Sequence, residues 1–344
     1  MRRRTRAASA ALFLLASLAC RGPAAEAPRA APSARPAAAG NRLNVLLITI
    51  DTLRADHLGA YGYGRPTSQR LDALARRGVV FDEAYTYWPK TRGSFVGLLT
   101  GRLAAQSGYG KSHPLLVDFN PTLAGVLKEA GYETAATVDN PNVASSLGYA
   151  RGFDRYRETW EEKALVTEMD RTRAITADGV RYLGQASPAR PFFLWLHYVN
   201  PHAPYTPPPP YDTAFLDAQA ETGPKLRVLP GPHGGIPRPL YAPGHRRLAY
   251  YLAQYDGEVA AVDSQVGLVI DALRQSAASS RTLLIVTSDH GESLGEHDYY
   301  FAHGRGTPPW KPSTGARTGP RAARSSRKAV SHGAGGSYGA CGFT

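Results

Sequence analysis

Short apolar runs alternate along this chain with stretches whose apolar residues recur at helical spacing. Asn44–Ile50 (NVLLITI), Thr134–Val138, Phe192–Tyr198 and Thr282–Thr287 are such runs. Runs of this length rich in Val, Ile and Leu read as strands buried on both faces. Between them, Leu71, Leu74 and Ala75 set the period of a helix over Ser68–Arg77. Further helices are predicted over Ser94–Thr100, stopped by Gly101, over Thr122–Ala130, closed by Gly131, and over Met169–Leu183. Arg246–Ser276 reads as one or two long helices, and Pro201–Pro210, with six prolines, as an extended loop. Strands alternating with helices predict a doubly wound α/β domain.

Two of the strands end in acids. Leu46–Ile50 delivers Asp51, and Leu283–Val286 leads to Asp289 and His290. In open α/β sheets the ligand site lies at the carboxyl ends of the strands. A lone Asp after a strand is usually a cap or turn residue. Its recurrence, the second time beside a histidine, predicts a shared metal site of Asp51, Asp289 and His290. Asn140 follows the Thr134–Val138 strand in the same way and is placed in the lining of the pocket.

The 344 residues suffice for one large α/β domain with appendages. The chain opens on Arg2, Arg3, Arg4 and Arg6, then an apolar stretch, Ala7–Ala19, short for a bilayer span. The stretch ends in LASLAC, which resembles a bacterial lipoprotein signal with Cys20 as the lipidated residue. Ser17 stands where that signal prefers Leu, so plain signal cleavage stays open. Residues 21–42 are dominated by Ala and Pro and suit a tether. The domains expected are therefore a signal at 1–20, a linker at 21–42, a catalytic domain at 43–304 and a basic tail at 305–344.

Charge changes little once it is located. Of the formal +12, residues 1–20 hold +4, 21–42 hold +3 and 305–344 hold +7, leaving −2 for 43–304. A nucleic-acid binder carries its basic patch on the folded domain, so no nucleic-acid partner is expected. Cys20 and Cys341 both lie outside the core, which therefore has neither disulfide nor thiolate chemistry.

Seven segments, ITIDTLRADHLGAYGY, LDALARRGVVFDEAYT, TRGSFVGLLTGR, TLAGVLKEAGYETAATV, HYVNPHAPY, YDGEVAAVDSQVGLVIDAL and TSDHGESLGEH, resemble the sulfatase family of the alkaline phosphatase superfamily. They come in the family's order and cover about residues 43–304. The resemblance implies an α/β/α sandwich around a mixed, mostly parallel sheet. It also implies an ester hydrolase or transferase with one active site over the strand ends.

The chain departs from the family at the nucleophile. Family sulfatases open a C-x-P-S-R signature with a Cys or Ser that is oxidised to formylglycine. Counting back from Leu99-Thr100-Gly101-Arg102 puts Thr91 at that position, with Gly93 for the Pro, Ser94 kept and Phe95 for the Arg. Threonine is not a substrate for that oxidation. The resemblance to threonine-nucleophile relatives, the phosphoglycerol and phosphoethanolamine transferases, implies instead a metal-coordinated Thr91 hydroxyl attacking the ester. The competing reading is a helix cap at Thr91. Formylglycine sulfatases also carry two acids where this chain has Asp51-Thr52. One acid fewer, with His290, favours manganese or zinc over calcium or magnesium, as imidazole suits the former pair.

By resemblance His202 contacts the ester oxygens or helps the leaving group, and His303 stabilises charge on the transferring group. Lys90 and Arg92 flank the nucleophile and either attract an anionic substrate or form solvated surface. His197, Glu292, Glu296 and His297 are read as structural. The predicted function is metal-dependent cleavage or transfer of phosphate esters, with sulfate esters as the alternative. The expected substrate is an anionic ester, with an envelope lipid or glycan as its candidate carrier, met by an exported protein tethered to the membrane. The remaining alternative is a non-catalytic lipoprotein that binds an anionic envelope component. Residues 305–344 hold no acid and no periodicity, so they are expected to be disordered, through an out-of-frame or truncated ending that removes the family's last strand and helix.

Overall fold

The computed structural model describes residues 42–86, 88–110, 116, 120–218, 220, 222–304 and 339–342. The signal at 1–20 with Cys20, the linker up to residue 41 and the tail at 305–338 lie outside the described residues. No helix among those described is long and apolar enough to cross a membrane.

The first half of the chain gives strand β1 (Asn44–Ile50), helix α1 (Gln69–Ala75), strand β2 (Val79–Phe81) and helices α2 (Thr91–Thr100), α3 (Ala104–Ser107) and α4 (Leu123–Glu129). Strands β3 (Glu133–Val138) and β4 (Arg155–Glu158), helix α5 (Glu168–Gln185) and strand β5 (Phe192–Tyr198) follow. A proline-rich excursion carries the short helix α6 (Tyr211–Ala214) and the strand pair β6 (Arg227–Leu229) and β7 (Gly235–Pro237). Helix α7 (Leu248–Gln275), strand β8 (Thr282–Ser288), the pair β9 (Ser293–Leu294) and β10 (Tyr300–Ala302), and strand β11 (Gly339–Gly342) complete it.

The main sheet has seven strands in the order β2-β11-β8-β1-β5-β3-β4. Every pairing described in it is parallel, and antiparallel ladder pairing is confined to β9–β10. Side chains alternate across the sheet, so each strand feeds two cores. Leu46, Ile48 and Ile50 of β1 join Leu71, Ile175, Val259, Val262 and Val266 beneath α1, α5 and α7. Leu47 joins Phe95, Val96, Leu99 and Ala124 of α2 and α4, with Phe193 and Trp195 of β5. Two helical layers sandwich the sheet, and the α/β/α architecture follows from this alternation.

Several boundaries have identifiable causes. Thr122 caps α4, its Oγ1 accepting from Gly125 N at 3.0 Å. Thr167 and Asp170 form a reciprocal capping box at the start of α5. Helix α1 is held from a distance: Asp263 of α7 accepts from Arg70 N at 2.9 Å and Leu71 N at 2.8 Å, although Ser68 occupies the cap position. Helix α7 is a single helix of 28 residues. Helix α2 begins three residues earlier than its apolar period suggests, and Gly101 ends it in the left-handed conformation (φ 65°).

The expectation of an unstructured stretch throughout 305–344 is corrected at four residues. Gly339–Gly342 lies between β2 and β8, parallel to both. Strand pairing engages backbone N–H and C=O groups, so a Gly-Ala-Cys-Gly segment pairs without any apolar alternation for sequence reading to find.

Candidate active site

The register of three strands assembles the site. Ile50 of β1 pairs with Ser288 of β8 on one side and Tyr198 of β5 on the other. Asp51 and Asp289, each one residue further on, therefore leave the sheet side by side. Both are buried, as are His290 and Thr91. One oxygen or nitrogen from each of Asp51, Asp289 and His290 can be chosen so that all lie within 4.8 Å of one another.

Asp51 is held at one oxygen and bare at the other. Its Oδ2 accepts from Asn140 Nδ2 at 2.6 Å and from Thr91 Oγ1 at 3.4 Å, while its buried Oδ1 has no hydrogen-bond partner. Asp289 repeats the pattern: Oδ1 accepts from His290 N at 2.9 Å and Thr52 N at 3.4 Å, and Oδ2 has no hydrogen-bond partner. His290 Nδ1 lies 3.0 Å from Gly291 O. A carbonyl can only accept, so Nδ1 carries the hydrogen and Nε2 is a free lone pair. That lone pair lies 3.6 Å from Asp51 Oδ1 and 3.4 Å from Asp289 Oδ2.

Two buried carboxylates with bare oxygens facing an imidazole lone pair are costly without a cation. Burial, then the charge of Asp289, raises the Asp51 pKa far above the ordinary carboxylate range, and burial does the same to Asp289. Burial pushes His290 down, so its ring stays neutral. These donors fit a divalent cation that takes mixed oxygen and nitrogen ligands.

Thr91 sits in the first turn of α2, where Lys90 occupies the cap position. Its hydroxyl faces Asp51 Oδ2 and His290 Nε2, the latter at 3.2 Å, rather than a backbone N–H of the helix. The capping reading therefore has no geometric support. Ser94, one turn on, donates to Asp289 O at 2.6 Å and ties α2 to the end of β8. Two signature departures are built into the packing. Phe95 is fully buried against Trp195 and His197, and a Cβ at position 93 would overlap the Trp88 indole. A proline at 93 would meet the Trp88 ring, and an arginine at 95 would have to bury its charge among aromatic side chains.

His202 and His303 meet directly, their Nε2 atoms 3.0 Å apart. Each Nδ1 faces a carbonyl, Ala203 O at 2.7 Å and Pro89 O at 3.2 Å, and so carries a hydrogen. Two lone pairs would then face each other unless one Nε2 is protonated. Burial disfavours a charged His202, but Glu292 and Asp51 outweigh it and hold the ring up at about 9. Burial, then His290 and His202, pushes His303 down to about 2. The shared proton belongs to His202, and His303 accepts it. The pair adjoins the carboxylate site, with the His303 and His290 ring centroids 4.2 Å apart.

The other candidates are distributed unevenly. The Asn140 amide is engaged by Asp51, and its Oδ1 accepts from Asn142 N. Arg92 NH2 reaches Asn142 Oδ1 at 3.2 Å, so Arg92 points along the α2 flank. Lys90 is exposed and packs beside Gly304. His197 is buried with Nδ1 at 2.9 Å from Thr49 Oγ1 and Nε2 3.9 Å from Asp51 Oδ2; burial pushes it down to about 3 and keeps it neutral.

Among the residues that hold these groups, Glu292 and Glu296 take the structural role read for them in the sequence, whereas Arg54, Tyr205 and Glu258 were missed. Glu292 Oε2 accepts from Tyr205 OH at 2.6 Å and Ala203 N at 3.3 Å, fixing the His202 loop. Glu258 of α7 does the same lower down, accepting from Asn200 Nδ2 at 2.6 Å and Thr206 N at 2.8 Å. The buried Arg54 pairs with Asp56 and Glu296 and donates to Glu292 O, joining the loop after β1 to the loop after β8. Of the missed residues, only Glu258 carried a signal, a charge inside an otherwise apolar helical segment.

The fold is an alkaline phosphatase-like α/β/α sandwich with this donor set at its strand ends. The family model described as Sulfatase matches residues 43–316, and the chain belongs to that family. The match runs twelve residues past Gly304. Among relatives, the arylsulfatase of Clostridium perfringens is 23% identical over 75% of this chain and 64% of its own length. The solved phosphonate monoester hydrolase of Agrobacterium radiobacter aligns with a TM-score of 0.59 at 21% identity, over 77% of this chain and 65% of that one. The C-terminal periplasmic domain of EcEptC from Escherichia coli aligns at 0.53 and 19% identity, over 78% of this chain and 69% of that one. The chain spans less than two thirds of the length of the curated relatives matched first.

Proposed function

We propose that this protein is a metal-dependent hydrolase or transferase of phosphate esters that uses Thr91 as its nucleophile. The observation that carries this reading is the Thr91 hydroxyl beside Asp51 and His290, within a cluster whose bare carboxylate oxygens call for a cation. Asp51, Asp289 and His290 would hold the ion, with manganese or zinc favoured; EcEptC was solved in complex with Zn. When bound, a divalent ion acts as a Lewis acid that acidifies the Thr91 hydroxyl and offsets charge on the ester oxygens.

Thr91 Oγ1 passes its proton to Asp51 Oδ2, the oxygen it already faces at 3.4 Å, and forms a bond to phosphorus as the ester P–O bond breaks. The departing alkoxide takes the proton of His202 Nε2, which His303 has oriented. Water or an acceptor alcohol then attacks the Thr91 ester and returns a proton to the histidine pair, while the departing Thr91 oxygen recovers its own proton from Asp51 Oδ2. The N-terminus of α2 favours the anionic group throughout.

The family and the arylsulfatase relative favour sulfate esters as the second reading. The absent proline and arginine, and the filled space at Gly93 and Phe95, weigh against formylglycine chemistry. Parallel assays on nitrophenyl phosphate, bis-nitrophenyl phosphate and nitrophenyl sulfate are expected to give faster turnover on phosphorus. Dominant sulfate turnover would reverse the assignment.

The basic start, the apolar stretch and LASLAC support export and lipid attachment at Cys20. Cys20→Ser is then expected to move the protein out of the membrane fraction. A variant still wholly membrane-bound would remove this part of the proposal.

A further inference from the structure

We propose that Tyr255 is a positioning residue for the Asp51–Asp289 pair, its hydroxyl clamping the turn that follows Asp51. The proposal rests on the metal reading of that pair. Thr52 adopts φ 54°, a left-handed conformation that β-branched residues avoid and that persists only where the surroundings enforce it. The Thr52 side chain does not supply the restraint, because its buried Oγ1 has no hydrogen-bond partner. Tyr255 does: its hydroxyl donates to Thr52 O at 2.9 Å and accepts from Arg54 N at 3.0 Å, bridging the turn. The same conformation aims Thr52 N at Asp289 Oδ1.

One phenol therefore fixes the backbone between the two carboxylates. It is itself tightly enclosed. Tyr255 is fully buried on α7, with its ring edge-on to His57 at 4.9 Å and to Tyr205 at 5.4 Å. Through Thr52 it sets the approach of Asp51 to Asp289, while its other hydrogen bond anchors the segment whose Arg54 side chain reaches Glu292 O. It bonds to neither carboxylate, which makes it a positioning group rather than a catalytic one.

Tyr255→Phe removes one oxygen and keeps the ring. Zinc and manganese dissociation constants from chelator competition, kcat and KM on a phosphate ester, and unfolding of the metal-free protein are measured together. Metal affinity is expected to fall about tenfold or more, the scale of losses at groups that orient ligands. The expected kinetic pattern is a lower kcat at nearly constant KM. Adding Thr52→Gly is expected to recover affinity relative to Tyr255→Phe alone, because glycine adopts the left-handed conformation without strain. A purely structural role would lower the melting temperature, leave affinity and the kcat-to-KM split alone, and show no recovery. Unchanged metal affinity in Tyr255→Phe, or no recovery in the double variant, overturns the proposal. A wild-type protein that binds neither ion overturns the metal reading and the clamp with it.

Discussion

Thr91→Ala is expected to lower kcat by about 10⁴-fold or more, the scale seen when a covalent nucleophile is removed. The fold should survive. Lys90, not Thr91, occupies the cap of α2, and among the described residues the Thr91 hydroxyl bonds to His290 at 3.2 Å and Asp51 at 3.4 Å. Losing those contacts costs about 1 kcal/mol. Metal affinity should also remain measurable, because Asp51, Asp289 and His290 are untouched. Thr91→Ser keeps an oxygen in place and is expected to retain turnover well above the alanine variant. Equal loss in both variants would point to packing of the threonine methyl, and full activity in Thr91→Ala would remove Thr91 from the mechanism.

Asp289→Asn is expected to weaken zinc or manganese binding by more than the roughly 100-fold typical of outer-shell changes. The substitution keeps an oxygen acceptor for Thr52 N and His290 N, and removes the charge. In the metal-free protein it should leave the melting temperature unchanged or raise it, since a buried carboxylate with a bare oxygen is lost. The pH dependence follows from the same groups. Asp51 and Asp289 are raised from 3.8 to about 7 by burial, so the folded metal-free protein binds protons that the unfolded chain has released. Their contribution to metal-free stability is fully present below about pH 4 and is lost as pH rises through about 7. Metal binding runs the opposite way: affinity rises with pH up to about 7 and then levels off, with proton release detectable by calorimetry in buffers of different ionisation enthalpy. Binding that weakens as pH rises from 5 to about 7 would exclude these carboxylates as the ligands.

Much of this candidate site was legible because its acids and histidine follow strands. Asp51 stands directly after its apolar run and Asp289 and His290 at the end of theirs, two polar residues on, and parallel β1–β8 pairing does the rest: once Ile50 lies beside Ser288, the two aspartates must be neighbours. Thr91 was legible only by counting from Leu99–Arg102, since its helix begins before any apolar period is established. The supports were not legible. Tyr255, Glu258 and Asp263 sit on a helix that periodicity reads as a core stripe, and their partners lie some fifty to two hundred positions away in the chain. A buried hydroxyl that clamps a strained turn looks, in sequence, like any core tyrosine. Strands β2, β4 and β11 were missed for a different reason. They are three or four residues long, and sheet pairing rather than side-chain pattern defines them.

Thr91 is expected to become covalently modified during turnover. Protein quenched in acid during reaction with a phosphate ester, digested and analysed by high-resolution mass spectrometry, is the direct test. A phosphoryl group on the peptide containing Thr91, absent when the metal is chelated beforehand, is the predicted result. Rapid metal-dependent turnover with Thr91 unmodified at every quench time, and undiminished in Thr91→Ala, would contradict it.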